Sequence, residues 1–329
     1  MSGLVGVILA GGRGRRMGAL GDEFPKALLP VANLPLAAHH LRLLHGLGVR
    51  TVHVVLGHRG AEVAAALGDG SAHGVRIRYA EQGAPLGSAH ALGCLRPHLV
   101  GPFLLTLGDY FFVAPHAARL VRRLESGASA IAAMREPDPR LLREACALEV
   151  DGEGRVLDVV EKPAAPRSDL KGCGFYALQP EVLDAVARTP RTALRDEYEL
   201  TVSLELYVRA GGALYAEEVF DWDVNLTRPD DLLHCNLRWL AQERRNELVA
   251  DDAEVGAGAR LERAVVGGGA RVAGAARLRE SVVFPGARVD AGRPLRRVLV
   301  TPRHTIPCSV GPAAPRAFGR TGWSGPLSP

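Results

Sequence analysis

The stretch LAGGRGRRMGALGDEFPKALLPV, residues 9–31, sets a cluster of glycines among arginines and a lysine directly after the apolar run LVGVILA (4–10). A glycine turn at the end of a strand exposes backbone amides that can approach a polyanion, and cations beside it neutralise the charge. Three phosphate-binding loops compete for this stretch. A Walker A loop requires GxxxxGK[ST]; counted from Gly11 or Gly12, that spacing reaches Arg16 or Met17, and no GK[ST] follows. A dinucleotide fingerprint requires GxGxxG; Gly12 and Gly14 are in place, the third position holds Met17, and Gly18 comes one residue late. What remains is GGxGxRM followed by FPK, a cradle for a triphosphate with Arg16 at its end and Lys26 beyond. The plain alternative is a glycine-rich turn that displays solvated arginines.

Up to about residue 135, short apolar runs alternate with helical patterns. LVGVILA, TVHVVLG (51–57), VRIRYAE (75–81), FLLTLGD (103–109) and ASAIAAM (128–134) read as strands. PLAAHHLRLLHGLG, GAEVAAALG, GSAHALGCLRP and PHAARLVRRLESG between them read as helices closed by Gly or Pro. Such alternation predicts a parallel sheet covered on both faces, with ligands beyond the carboxyl ends of its strands. Both the glycine run and LGDYF (107–111) fall at such ends. CALEVDGEGRVLDVVEKP (146–163) reads as a hairpin around DGEG, and GCGFYAL (172–178) as a further strand. PEVLDAVA, ELTVSLELYVRAGG and PDDLLHCNLRWLAQERRN supply later helices.

From residue 254 the pattern becomes a repeat. Val255, Leu261, Val266, Val272, Leu278, Val283, Val289 and Leu295 recur at steps of six, five and six, a coil of 17 residues with Gly and Ala at most corners. A low-complexity linker would not keep an aliphatic register over two turns, so the repeat predicts a parallel β-helix, each face a short strand stacked on the last coil. The expected domains are 1–250, 251–309 for the β-helix, and a Pro/Gly-rich tail, 310–329, expected to be disordered.

Bulk properties narrow the function. The 329 residues allow one large and one smaller domain, and 47% hydrophobic with 23% charged residues is ordinary for a soluble globular protein. A net charge of +4 suits anionic small molecules and is too weak to argue for nucleic acid; RLVRRLE (119–125) reads as one solvated helix face. Five cysteines, Cys94, Cys146, Cys173, Cys235 and Cys308, stand far apart with no zinc-site spacing. With no signal peptide and no long apolar span, the expectation is a cytoplasmic protein that touches neither membrane nor nucleic acid.

LAGGRGRRM…FPKALLPVANLPL resembles the signature of the sugar-1-phosphate nucleotidylyltransferases, LAGGxGxR[ML]…PKxLxPVxxxP, and further motifs follow in that family's order over about residues 4–240. The resemblance implies a Rossmann-like, mixed and mostly parallel α/β sheet domain, here followed by a short left-handed parallel β-helix as in several long branches. It implies nucleotide contacts at Leu9, Ala10, Gly11, Gly12 and Gly14 in the opening run. EQGAPLGSAHAL (81–92) resembles the base-binding loop, which implies contacts at Gln82, Pro85, Gly87 and Ser88, Gln82 on a pyrimidine edge and Gly87 for close backbone approach. LGDYF resembles the family's LGD, implying Gly108 at the nucleotide and Asp109 as a Mg²⁺ ligand. VVEKP (159–163) implies Glu161 on sugar hydroxyls and Lys162 on the sugar phosphate; Gly174 and Cys146 are also expected beside the sugar. WDVN…RPDDLLHCN (222–236) resembles the second metal segment, with Asp223, or Asp221 instead, as ligand.

The reaction so implied joins an NTP and a sugar 1-phosphate into an NDP-sugar and pyrophosphate. The attacking phosphate oxygen is already anionic, so no general base is needed. The demand is to bring two polyanions together and stabilise charge on the α-phosphate. Arg16, Lys26 and Lys162 are the expected catalytic cations, and Asp109 with Asp223 the carboxylates for Mg²⁺. dTTP or UTP with a glucose-1-phosphate-like sugar fits Gln82; PLGSAHAL also resembles the mannose-1-phosphate guanylyltransferase branch. Asn225, where the family usually has glycine, and Cys146, where it commonly has glycine facing the sugar, are departures. They keep a second reading open, a non-catalytic regulatory paralogue that binds nucleotide sugar. A third, an acyltransferase β-helix, is disfavoured by the few coils and the lack of histidine in the repeat. The β-helix is expected to serve assembly of a homo-oligomer or regulation.

Overall fold

The structure, a computed structural model, describes residues 3–193 and 196–309; the tail expected to be disordered lies outside the described residues. The chain divides into two compact units, one running to Thr227 without Val31–Asn33, the other made of Val31–Asn33 and the chain from Arg228 onward.

The first unit contains β1 (Val5–Ala10), α1 (Leu36–Gly46), β2 (Thr51–Leu56), α2 (Gly60–Leu67), β3 (Arg76–Glu81), α3 (Ser88–Gly93), β4 (Phe103–Leu107), β5 (Tyr110–Val113), α4 (Ala118–Glu125) and β6 (Ser129–Arg135). It continues with β7 (Cys146–Val150), β8 (Val156–Glu161), β9 (Leu170–Leu178), α5 (Val182–Arg188), α6 (Leu200–Arg209), β10 (Leu214–Glu218) and β11 (Trp222–Asn225). β3, β2, β1 and β4 lie side by side and parallel, with Val7 opposite His53 on one flank and Leu105 on the other. Their near-continuous apolar runs are what a strand buried on both faces requires. Val7 and Leu9 pack with Ala89, Leu92, Leu200 and Leu204 on one face, while Ile8 packs with Leu41, Leu44, Val63 and Leu120 on the other. Period-two alternation thus splits β1 between two cores.

β9 breaks the parallel run. It is antiparallel to β4 through Phe175–Leu178 and to β7 through Lys171 and Gly172, with β6 along its other edge. The β7–β8 hairpin therefore meets the sheet just where β9 passes the end of β4. Away from this sheet, β5 and β11 form a two-stranded antiparallel pair, Tyr110 opposite Asn225 and Phe112 opposite Asp223. One expectation is corrected at α4: Arg123 is no merely solvated side chain. It ion-pairs with Glu217 at 2.6 Å and lies 4.1 Å over the Tyr215 ring, so it ties the helix to β10.

The second unit contains α7 (Pro229–Gln242), β12 (Glu247–Val249), β13 (Glu254–Val255), β14 (Arg260–Val266), β15 (Arg271–Val272), β16 (Arg277–Val283), β17 (Arg288–Val289), β18 (Leu295–Arg296), β19 (Val298–Val300) and β20 (Thr305–Pro307). Val255 pairs with Val272 and Val272 with Val289; Leu261 pairs with Leu278 and Leu278 with Leu295; all are parallel. The spacing in each column is the 17-residue step read from the sequence. At one corner Arg263, Glu280 and Arg297 follow one another a coil apart, with φ of 49°, 49° and 53°. Glu280 is 5% exposed and accepts from Arg263 at 2.8 Å and Arg297 at 2.7 Å. β20 returns antiparallel along β19 and ends the parallel stacking on that face. The Val31–Asn33 excursion joins this unit through two hydrogen bonds of 2.9 Å: Asn236 Oδ1 accepts from the Ala32 amide, and Asn33 Nδ2 donates to the Val266 carbonyl.

Candidate active site

The carboxyl ends of β1 and β4 meet without side chains between them. The Gly108 amide donates to the Leu9 carbonyl at 2.9 Å, and a Cβ on Gly108 would stand 2.7 Å from that same oxygen. Only glycine lets the LGD turn close onto the LAGG loop. A cavity of about 610 Å³ opens above this junction, within the usual size of a small-molecule site. Leu9, Ala10, Gly11, Gly12, Gly14, Arg16, Lys26, Gln82, Pro85, Gly87, Ser88, Gly108, Asp109, Cys146, Glu161 and Gly174 all line it. Sixteen of the singled-out residues, from segments scattered between positions 9 and 174, therefore converge on one space. Lys162 and Asp223 do not line it. Lys162 adopts φ 49° and donates its amide to Ala145 at 2.8 Å, which turns the chain at the hairpin end. Asp223 is buried below, while Asp221 is exposed and donates its amide to the Val113 carbonyl.

The loop expected to read the base is braced from inside. Gln82 is 8% exposed; its Nε2 donates to the Gly87 carbonyl at 2.9 Å and lies 3.3 Å from His90 Nδ1. Its Oε1 faces Gly11, where a Cβ would come within 2.8 Å. The carboxamide N–H groups are thus turned inward, and the oxygen lies at the glycine loop. Gly87 has φ 109°, and a Cβ there would collide with the Tyr198 carbonyl oxygen. The sequence explained this glycine by close approach to a base; the structure gives it a neighbour in the chain itself. The Tyr198 amide donates to Leu86 at 2.8 Å, and Ala89 donates to Tyr198 at 2.9 Å. Ser88 Oγ accepts from the Leu200 amide at 2.9 Å and so caps α6.

A family model described as nucleotidyl transferase matches residues 5–235. This chain belongs to that family. Among its relatives is the low-salt glycan biosynthesis nucleotidyltransferase Agl11 of Haloferax volcanii, 35% identical over 257 residues, covering 76% of this chain and 70% of that protein. A glucose-1-phosphate thymidylyltransferase of Streptomyces griseus is 32% identical over 79% of this chain and 80% of its own. The UTP–glucose-1-phosphate uridylyltransferase AglF of Haloferax volcanii is 31% identical over 68% of this chain and 92% of its own. Among solved structures, a putative glucose-1-phosphate thymidylyltransferase from Bacillus anthracis shares the fold, with TM-score 0.63 and 24% identity over 71% of this chain and 94% of that one.

In this nucleotidyltransferase each of the two acidic side chains is held by a lysine. Lys26 Nζ lies 3.1 Å from Asp109 Oδ2, the side chains 12% and 35% exposed. Lys171, which the sequence reading passed over, lies 2.6 Å from Asp223 Oδ1, the side chains 15% and 2% exposed. The β5–β11 pairing ties the two segments by backbone, the Leu226 amide donating to the Asp109 carbonyl at 2.8 Å, and the charges of both carboxylates reach Tyr110. Tyr110, also missed, lines the cavity beside them. Burial first, then the charges of Asp223 and Asp109, push its hydroxyl pKa far above the ordinary value, so it stays protonated. Burial also raises the Cys146 thiol, with Glu161 adding to it, so Cys146 is a neutral wall and no nucleophile. All five cysteines are free, and no helix among the described residues is long and apolar enough to cross a membrane.

The residues fit a hard divalent ion. Asp223 Oδ2 is buried without a hydrogen bond of ordinary geometry, an unusual state for a carboxylate oxygen. Among the described residues no cluster of three or more His, Cys, Asp and Glu is arranged to hold a metal. Mg²⁺ needs no such cage: it takes one or two carboxylates and completes its shell with water and phosphate oxygens.

Proposed function

We propose that this enzyme, which transfers a nucleotidyl group from an NTP to a sugar 1-phosphate, uses a pyrimidine nucleotide, dTTP or UTP, and a glucose-1-phosphate-like sugar. The carrying observation is that one cavity collects the glycine loop, Arg16, Lys26 and Asp109 together with Glu161 and Gly174. The named activities of the thymidylyl and uridylyl relatives support the choice of base and sugar. Amides of Gly11, Gly12 and Gly14 and the Arg16 guanidinium would bind the leaving phosphates. Lys26, already at the cavity wall, would turn from Asp109 toward the transferring phosphate. Gln82 would present Oε1 to the imide N–H of uracil or thymine. Glu161 would accept from sugar hydroxyls, and Lys162 would have to swing inward from the rim to meet the sugar phosphate. Asp109 and Asp223 would hold Mg²⁺, which when bound offsets the charge that builds on the α-phosphate.

We further take the coils from residue 251 as an assembly element for a homo-oligomer, and the cytoplasm as the place of action. Purified protein with Mg²⁺, dTTP or UTP and glucose 1-phosphate should release pyrophosphate, with GTP and mannose 1-phosphate as the contrasting pair. Release only with the latter pair refutes the choice of substrates. No release with any pair, alongside tight binding of an NDP-sugar, would favour the regulatory paralogue.

A further inference from the structure

The two acidic side chains are not held in the same way. Lys26 lines the cavity, so phosphates arriving there offer it a new partner. Lys171 does not line it; it projects from β9 just before the Gly172–Cys173–Gly174 run that does. Its Nζ sits 2.6 Å from Asp223 Oδ1, and the Asp223 side chain is 2% exposed. The other oxygen, Oδ2, is buried with no hydrogen bond of ordinary geometry; the Cys173 thiol, a weak donor, lies beside this carboxylate. One half of this carboxylate is satisfied by an ammonium group, and the other half is left for a donor or cation that approaches from elsewhere.

We infer that Lys171 is a positioning residue that competes with the divalent ion at Asp223 and thereby makes metal loading depend on bound nucleotide. This rests on the reading of Asp109 and Asp223 as the metal carboxylates. A fixed positive charge on Asp223 offsets the negative charge that carboxylate offers to an incoming cation and repels the cation at short range, where little water screens the interaction. A divalent ion without phosphates meets both carboxylates already paired. With a triphosphate present, phosphate oxygens supply ligands and negative charge, and Lys26 is drawn off Asp109. Lys171 stays, orienting Asp223 so that Oδ2 is the oxygen that remains available.

Titrating Mn²⁺ into the full chain, with free ion followed by electron paramagnetic resonance, tests this without turnover. In the absence of nucleotide, Lys171→Gln should bind Mn²⁺ at least tenfold more tightly than the parent. With a non-hydrolysable UTP analogue bound, the difference should shrink. In an Asp223→Asn background Lys171→Gln should change nothing, because the carboxylate it guarded is gone. Lys171→Met probes the same point; should it fail to fold with Asp223 unpaired, the glutamine variant, which keeps a neutral donor, still decides. Equal or weaker Mn²⁺ binding in Lys171→Gln, with Asp109→Asn still weakening it, overturns the inference and leaves the metal reading standing. Binding indifferent to both Asp109→Asn and Asp223→Asn overturns the metal reading beneath it.

Discussion

Two glycines that line the same cavity should respond to alanine in opposite ways. Gly12 has nothing within 4 Å of where a Cβ would stand, and its φ lies outside the left-handed region. Gly12→Ala therefore meets no clash in the free protein. Removing glycine at a compatible backbone position restricts the unfolded chain and adds about 0.4–1 kcal/mol of stability. The open space at Gly12 is, on the proposed mechanism, where triphosphate oxygens approach the loop. A methyl there would cost one or two charge-assisted hydrogen bonds, about 1.5–3 kcal/mol each. That corresponds to a fall in kcat/KM of about 10- to 160-fold for the first bond lost. Gly87→Ala lacks this separation: φ is 109° and the methyl collides with the Tyr198 carbonyl. It should lose about 1–3 kcal/mol from the strained backbone alone, because φ 109° with ψ 174° is a region open essentially to glycine. It should also lose activity as the 196–201 segment, several of whose residues line the cavity, is pushed away. Urea unfolding gives the stabilities, and pyrophosphate release gives kcat/KM. A Gly12→Ala enzyme as active as its parent would refute the placement of the triphosphate on this loop, whatever its stability.

Asp109→Asn or Lys26→Met should lower kcat about 10²–10³-fold, as loss of a preorganised charge at the reacting phosphate does; thermal melts should show less than about 1 kcal/mol of change, because Asp109 is a third exposed. Glu280 is held below the usual carboxylate range, chiefly by its hydrogen bond to Arg297, with burial opposing and the charges of Arg297, Arg263 and Arg296 assisting. Its contribution is therefore complete above the unfolded value near 4.5 and fades as pH falls through the lowered folded value. Glu280→Gln should destabilise clearly at pH 7, and the gap from the parent should narrow in melts toward pH 3. Burial, with His39 adding to it, depresses His40 from 6.5 to about 3. The unfolded chain then takes up a proton that the folded chain refuses, so stability present above pH 6.5 should fall by up to about 1.4 kcal/mol per pH unit below it. His40→Leu should flatten that slope in urea titrations between pH 4.5 and 6.5, and an unchanged slope would show that other groups set it.

The strands of the first unit and the stacked columns of the second were legible because each rests on local information. A buried parallel strand must be apolar almost throughout, and a coil that repeats its aliphatic positions every 17 residues cannot hide its length. The cavity was legible through resemblance, residue by residue, which is why Cys146 and Gln82 were found although neither side chain advertises a ligand alone. What escaped depends on which way a side chain faces. Lys171 sits in an apolar strand where a lysine reads as an edge or an accident; its meaning appears only when β11 places Asp223 2.6 Å away. Tyr110 reads as the start of an apolar strand, and nothing nearby in sequence tells that Asp223, as well as the adjacent Asp109, bears on its hydroxyl. Gly87 was read as making room for a base, while the neighbour the structure gives it, Tyr198, lies over a hundred positions along the chain.

The uniform coil length makes the second unit extensible in whole steps. An in-frame insertion of one further 17-residue turn would hand every later valine and leucine to the column it already occupies. Adding or removing a single residue within a strand would instead turn the downstream side chains inside out, exposing Val283 and Val300 and burying arginines. The strands of this unit therefore tolerate length changes only in quanta of one coil.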